Sequence, residues 1–248
     1  MVPVLAWWRE LGGLVLPAAC TGCGDPGTTL CEACRRALYG ARPRRVRPAS
    51  GPAGLPPVHA AAPYEGAVRE VVLAHKERGA LELAAPLGAA LAGAVAAAVA
   101  VPRGARGGGL LLVPVPSTPR AVAARGQDAT LRAARAAAVA LRRAGRAAEV
   151  VPVLRQRRRV ADQAGLDPGG RRANLSGALE VVRNGPRLLG RGRVVLVDDV
   201  MTTGVSLAEA ARAVDAARRR EAGIRAVRGG MSAAVIAAPR PSFEINRN

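Results

Sequence analysis

Four short apolar runs, LLLVPVP at 110–116, AAEVVPVL at 147–154, RVVLVDD at 193–199 and SAAVIAA at 232–238, are separated by alanine-rich segments with helical spacing, among them 131–143 and 206–220. The runs do not alternate apolar with polar residues, so strands built from them leave no face for water. Short strands of this kind, interleaved with helices, define βαβ units, and the predicted fold is α/β, a parallel sheet with helices on both faces. Ligands of such sheets bind beyond the carboxyl ends of the strands. With 248 residues, half of them apolar, the chain can hold one such domain and a small accessory module.

The third run continues as VVLVDDVMTTGVS, residues 194–206, and places two adjacent carboxylates at the expected end of a buried strand, Val194 to Val197. After the loop Val200 to Val205, Leu207, Ala210, Ala211 and Val214 recur at helical spacing. A helix N-terminus offers unpaired N–H groups and partial positive charge. Thr202, Thr203 and Ser206 add hydroxyl donors, and Gly204 allows close backbone approach. Such a loop suits a phosphate. Carboxylates touching that phosphate would repel it, so Asp198 and Asp199 should face a part of the ligand that donates hydroxyls. A sugar phosphate meets both requirements.

All four cysteines lie near the amino terminus, as CTGC at 20–23 and CEAC at 31–34. Two C-x-x-C knuckles flanking a turn that holds Gly24, Asp25, Pro26 and Gly27 can bring Cys20, Cys23, Cys31 and Cys34 to one point. Four thiolates close a tetrahedral structural zinc site with no position open for catalysis. Two disulfides are the alternative, disfavoured in a reduced cytosol. The predicted organisation is a zinc-ribbon module over 1–40, a Pro/Arg-rich linker over 41–57 and the α/β domain over 58–248.

Charge and targeting set further bounds. The 37 basic residues outnumber 18 acidic ones, a formal +19, which suits polyanionic partners. All but one of the basic residues are arginine, the exception being Lys76. A compact ammonium retained among arginines marks Lys76 as a candidate functional residue. His59 and His75 read as packing or surface residues. Arg9 and Glu10 interrupt the apolar start, and the uncharged run 83–101 is mostly alanine and reads as a buried helix. The expectation is a cytoplasmic protein without a membrane span.

The stretch 194–206 is similar to the phosphoribosyl pyrophosphate signature of type I phosphoribosyltransferases: an apolar strand, Asp-Asp, two variable residues, Thr-Thr-Gly, one residue, then Ser or Thr. Together with the two cysteine knuckles, YEGAVREVVLAHKERG at 64–79, VPVPSTPRAVAARG at 113–126 and DQAGLDPGGRRANLSGAL at 162–179, it resembles the ComF family over nearly the whole chain. These are phosphoribosyltransferase-like proteins, linked in some bacteria to DNA uptake during competence. The resemblance implies a type I phosphoribosyltransferase fold, with Asp198 and Asp199 on the ribose hydroxyls. It implies a phosphoribosyl pyrophosphate contact through Val200, Met201, Thr202, Thr203, Gly204, Val205 and Ser206, with magnesium accompanying that ligand. It further implies a pyrophosphate-facing loop with Val115, Pro116, Ser117 and Arg120, followed by Arg125, and a catalytic loop near 155–176 carrying Arg171 and Arg172. Arginine forks suit phosphate oxygens, and closure of that loop would exclude water.

The chain departs from the family at two places. Gln127-Asp128-Ala129 follows Arg125-Gly126 where an aromatic, Asn and Gln are common, and Glu77 stands where an aromatic is common. Two functions therefore stay open: a phosphoribosyltransferase acting on a nucleobase-type nitrogen, or a non-catalytic accessory protein of DNA uptake that handles single-stranded DNA alongside DNA-uptake proteins. Five aromatic residues supply few stacking platforms for single strands.

Overall fold

A computed structural model describes residues 19–40, 42–100, 109–157, 177–222 and 230–246. Strands β1 (Arg44–Val46), β2 (Val58–Pro63), β3 (Leu110–Pro114), β4 (Ala148–Val150), β7 (Arg193–Val200) and β8 (Ser232–Ala238) form one sheet in the order β1-β2-β8-β7-β3-β4. Every pairing from β2 to β4 is parallel; only the edge strand β1 is antiparallel. Strands β5 (Leu154–Gln156) and β6 (Leu179–Val181) form a separate antiparallel pair. All five residues of β3 and all seven of β8 are buried, as unalternating runs require.

The helices are α1 (Glu32–Tyr39), α2 (Gly66–Glu77), α3 (Ala84–Ala98), α4 (Pro119–Arg125), α5 (Ala129–Arg143), α6 (Gly185–Leu189) and α7 (Val205–Ala222). Helices α3 and α5 cover one face of the sheet, where Val195 and Val197 of β7 point; α7 covers the other, with Val194 and Leu196. The chain leaves β3 through α5 toward β4 at one edge, and leaves β7 through α7 toward β8 in the opposite direction. Winding therefore reverses between the adjacent strands β3 and β7. The crevice at that reversal, beyond the carboxyl ends, is where open α/β sheets hold ligands.

Residues 81–98 are long and apolar enough to cross a membrane by length and composition. In the fold Leu87, Leu91 and Val95 are fully buried between the sheet and α5. Alanine and glycine let the two helices approach closely: a Cβ on Gly88 would stand 2.3 Å from the Ala136 Cβ and 2.7 Å from its carbonyl carbon. Gly88→Val should therefore lower stability by about 2–3 kcal/mol, from overpacking against backbone that cannot yield. Urea unfolding of the variant will show a reduced midpoint; an unchanged midpoint would show that the helices separate at little cost.

Three expectations need correction. The stretch expected as a linker, 41–57, is not a solvated tether throughout: Val46, only 2% exposed, anchors β1 beside β2, and Leu55 packs on the α7 side of the core. The run at 147–154 is two strands in two sheets, because Pro152 has no N–H to donate and the chain leaves the ladder after Val151. Third, β7 does not stop at Val197. On its β3 side the last ladder bond is Val115 N–H to the Val197 carbonyl, but β8 continues to pair it through Val200 and Ala237. Residues 19–40 pack on the same core, where Cys20, Leu30, Cys34 and Leu38 share one apolar cluster with Val68, Val71 and Leu91.

Candidate functional site

The tip of β7 carries both aspartates within the strand. A strand's period of two sends neighbouring side chains to opposite faces, and the two carboxylates diverge accordingly. Asp199 follows Val197 toward the α2–α3–α5 side and is buried, only 7% exposed. Its Oδ1 accepts the Val200 N–H at 2.7 Å. Lys76 Nζ, from the last turn of α2, stands 2.6 Å from Oδ2, which takes no other partner among the described residues. Asp198 follows Leu196 toward the α7 side and remains partly exposed, its Oδ1 accepting the Asp199 N–H at 2.8 Å.

The three charges settle one another. Burial and the adjacent Asp199 carboxylate push the Asp198 carboxyl well above the usual range. Burial works the same way on Asp199, but the Lys76 ammonium and the Val200 amide outweigh it and hold Asp199 below that range. Burial disfavours the Lys76 ammonium, and the Asp199 and Asp198 carboxylates overcome it and raise Lys76. The outcome is an ionised, anchored Asp199 beside a more proton-retentive Asp198. Tyr64, just after β2, belongs to the same neighbourhood: burial raises its phenol, and Lys76 and Asp199 act on it with opposite signs.

Beyond β7, Met201 is buried and its N–H is committed to the Ala237 carbonyl at 3.0 Å. Thr202 is exposed, while Thr203 and Ser206 are partly exposed. Helix α7 begins at Val205, so first-turn amides without intrahelical acceptors face this loop. Gly204 has φ +77, a conformation open to glycine, and a Cβ there would meet Leu55 Cδ2 at 2.9 Å. Gly204 thus admits the Leu55 side chain as well as the left-handed turn.

The loop after β3 borders the same crevice. Val115 is buried, Pro116 and Ser117 are partly exposed, and Arg120 is exposed. Ser117 Oγ donates to Asp128 Oδ1 at 3.3 Å, and Thr118 caps α4. Arg125 differs from expectation: its guanidinium is turned toward α2 and engaged by Lys76 and Glu77 rather than presented to the crevice. Arg171 and Arg172, and the loop 158–176 that holds them, lie outside the described residues. His75 packs as expected, buried between the carbonyls of Ala80 and Ala129.

At the other end of the described chain the four cysteine sulfurs lie within 4.8 Å of one another, a group that can hold a metal ion. None is in a disulfide. Cys23 and Cys31 Sγ are 3.6 Å apart, against about 3.8 Å for the edge of a tetrahedron with Zn–S bonds of about 2.3 Å. Burial opposes a Cys20 thiolate, but the amides of Cys31, Cys23 and Gly22 bring it down to about 6. Burial and the three other sulfurs push Cys34 far up. Four sulfurs this close can all ionise only around a cation.

Sequence reasoning missed Leu55, Tyr64 and the engagement of Arg125. A lone large apolar residue in a Pro/Gly/Arg-rich stretch was the one available signal for Leu55. Neither a protein-family model nor a curated protein matches the chain.

Proposed function

We propose that the chain binds phosphoribosyl pyrophosphate at the carboxyl end of β7 and transfers its phosphoribosyl group to a nitrogen acceptor, as ComF-like type I phosphoribosyltransferases would. One conjunction carries the reading: a partly exposed Asp198 and a hydroxyl-bearing loop opening α7 meet where the sheet reverses its winding. The carboxylate suits ribose hydroxyls and the loop with its amides suits the 5′-phosphate. In the reaction an acceptor nitrogen bonds C1′ and gives up its proton, while the C1′–O bond breaks and its electron pair leaves with pyrophosphate. Negative charge at the tip of β7 would favour the cationic ribose. Magnesium enters with the substrate as its pyrophosphate chelate.

Calorimetry with magnesium phosphoribosyl pyrophosphate tests the site. Asp198→Asn keeps an oxygen for the Asp199 N–H but removes the ionisable carboxyl, and it should weaken binding at least about tenfold, or about 1.4 kcal/mol. Equal affinity in wild type and variant would remove Asp198 from the ligand. Pyrophosphate release with candidate bases then separates an enzyme from a binder.

The accessory reading has one observation in its favour. Arg132, Arg135, Arg143 and Arg146 lie exposed on and just beyond α5, in no ion pair with a described residue, and can follow a phosphate backbone. Binding without turnover, joined to steeply salt-dependent affinity for single-stranded DNA, would favour it. In either case the sulfur cluster is inferred to hold structural zinc.

A further inference from the structure

The last turn of a helix leaves carbonyls without intrahelical donors, and a guanidinium is well suited to them by geometry and by the sign of the helix dipole. At the end of α2 these carbonyls are met by side chains from one short turn. Arg125 Nη1 donates to the Lys76 carbonyl at 3.1 Å and to Glu77 Oε1 at 3.2 Å, while its Nε donates to the Ala121 carbonyl at 3.0 Å. The Arg125 side chain is only 9% exposed. Gln127 Nε2 donates to the His75 carbonyl at 3.5 Å. Gly126 lies between them with φ +69, turning the chain from α4 into α5. The same segment is tied at its far end to the loop after β3, through Ser117 Oγ and Asp128.

Lys76 leaves this capped turn directly toward Asp199. Its stem is long and flexible, so the position of its ammonium depends on how firmly the backbone at 75–77 is held. We propose that Arg125 is a positioning residue that fixes the end of α2 and thereby holds Lys76 against Asp199, coupling the loop after β3 to the carboxylates at the tip of β7. Glu77 and Gln127 are both members of this brace, Glu77 accepting from Arg125 and Gln127 donating to the His75 carbonyl. They are matched to each other's segment across the α2–α4 contact. The brace stands on its own geometry; its bearing on sugar-phosphate affinity rests on the function proposed above.

Lys76 is the single lysine of the chain, so its amine can be followed alone by peptide mass spectrometry after reductive methylation. Loss of the ion pair removes the carboxylate that raises Lys76, so a larger share of its amine is unprotonated and methylation near pH 8 should quicken. Asp199→Asn is the reference for that release. Arg125→Met should accelerate methylation of Lys76 toward the same rate, with its circular dichroism unchanged. Arg125→Gln, which retains an amide donor for the Lys76 carbonyl, should recover part of the protection, and it carries the measurement if Arg125→Met does not fold. Wild-type methylation rates in folded Arg125 variants would overturn the brace. Calorimetry with magnesium phosphoribosyl pyrophosphate on the same proteins should show affinity falling in step with protection of Lys76. If methylation accelerates while the wild type itself binds none of that ligand, the ligand assignment fails and the brace stands.

Discussion

Cys23→Ser is expected to strip the metal from the amino-terminal sulfur cluster and to loosen residues 19–40 from the sheet domain. Cys23 is exposed and belongs to no apolar cluster, so the exchange of sulfur for oxygen should cost little in packing. Its effect must come through the metal. Metal-dependent folding energies in small zinc modules are on the order of 10 kcal/mol. Only part of that should appear here, because Leu30, Cys34 and Leu38 also lean on the core shared with Val68 and Val71. A loss of roughly 3 kcal/mol or more corresponds to a Tm lower by about 6–12 °C for a chain of this size.

The measurements are zinc content by atomic absorption, thermal unfolding, and hydrogen exchange of the amides of α1. Wild type should carry one zinc and protected α1 amides. A strong chelator should reproduce the variant's behaviour in wild type and add nothing to the variant. Because zinc must displace the protons of thiols such as Cys34, whose own ionisation is strongly disfavoured, metal affinity should rise with pH. A metal-free wild type with fully protected α1 would refute the metal assignment.

The strand-and-helix order was legible because the buried runs at 110–116, 193–199 and 232–238 lack polar alternation and are short. The long helical faces at 131–143 and 206–220 could be seen for the same kind of reason, since their apolar spacing is regular. The edge of the sheet was less visible: β1 carries two arginines and only Val46 inward, too few residues for a period. The second strand, VHAAAP, is alanine-rich and has helix-like composition, and only its tertiary neighbours make it a strand. The carboxylate pair and the loop after it could be located in the sequence, but their division of labour could not. Whether Asp199 faces a ligand or a lysine depends on where β7 ends, and β8 determines that by pairing out to Ala237. The Lys76–Asp199 contact joins residues far apart in the chain, which no local pattern encodes. The scarcity of lysine was the one hint, and it named the residue without its partner.

Lys76→Met is expected to destabilise the fold by about 2–3 kcal/mol at neutral pH. Removing one partner of a fully buried pair costs about 3–5 kcal/mol, because the remaining charge stays desolvated; here the Lys76 side chain is 35% exposed, and solvent screening lowers the figure. The sign with pH follows from the direction of each shift. Asp199 is held below the usual carboxylate range, so its contribution in wild type is present above that range and lost as pH falls through its depressed value. Lys76 is raised, so its contribution is complete below the ordinary lysine range and lost at more alkaline pH. The gap between wild type and variant should therefore be widest near neutrality and shrink in acid, where Asp199 takes up a proton whether or not Lys76 is there. Denaturant unfolding across pH would show this convergence; a gap constant down to the acid limit would assign the loss to packing of the lysine stem. Adding Asp199→Asn to Lys76→Met should restore part of the stability, since the second change removes the stranded charge and leaves an amide oxygen for the Val200 N–H. Strictly additive losses in that cycle would mean that the two side chains, 2.6 Å apart, do not act on each other.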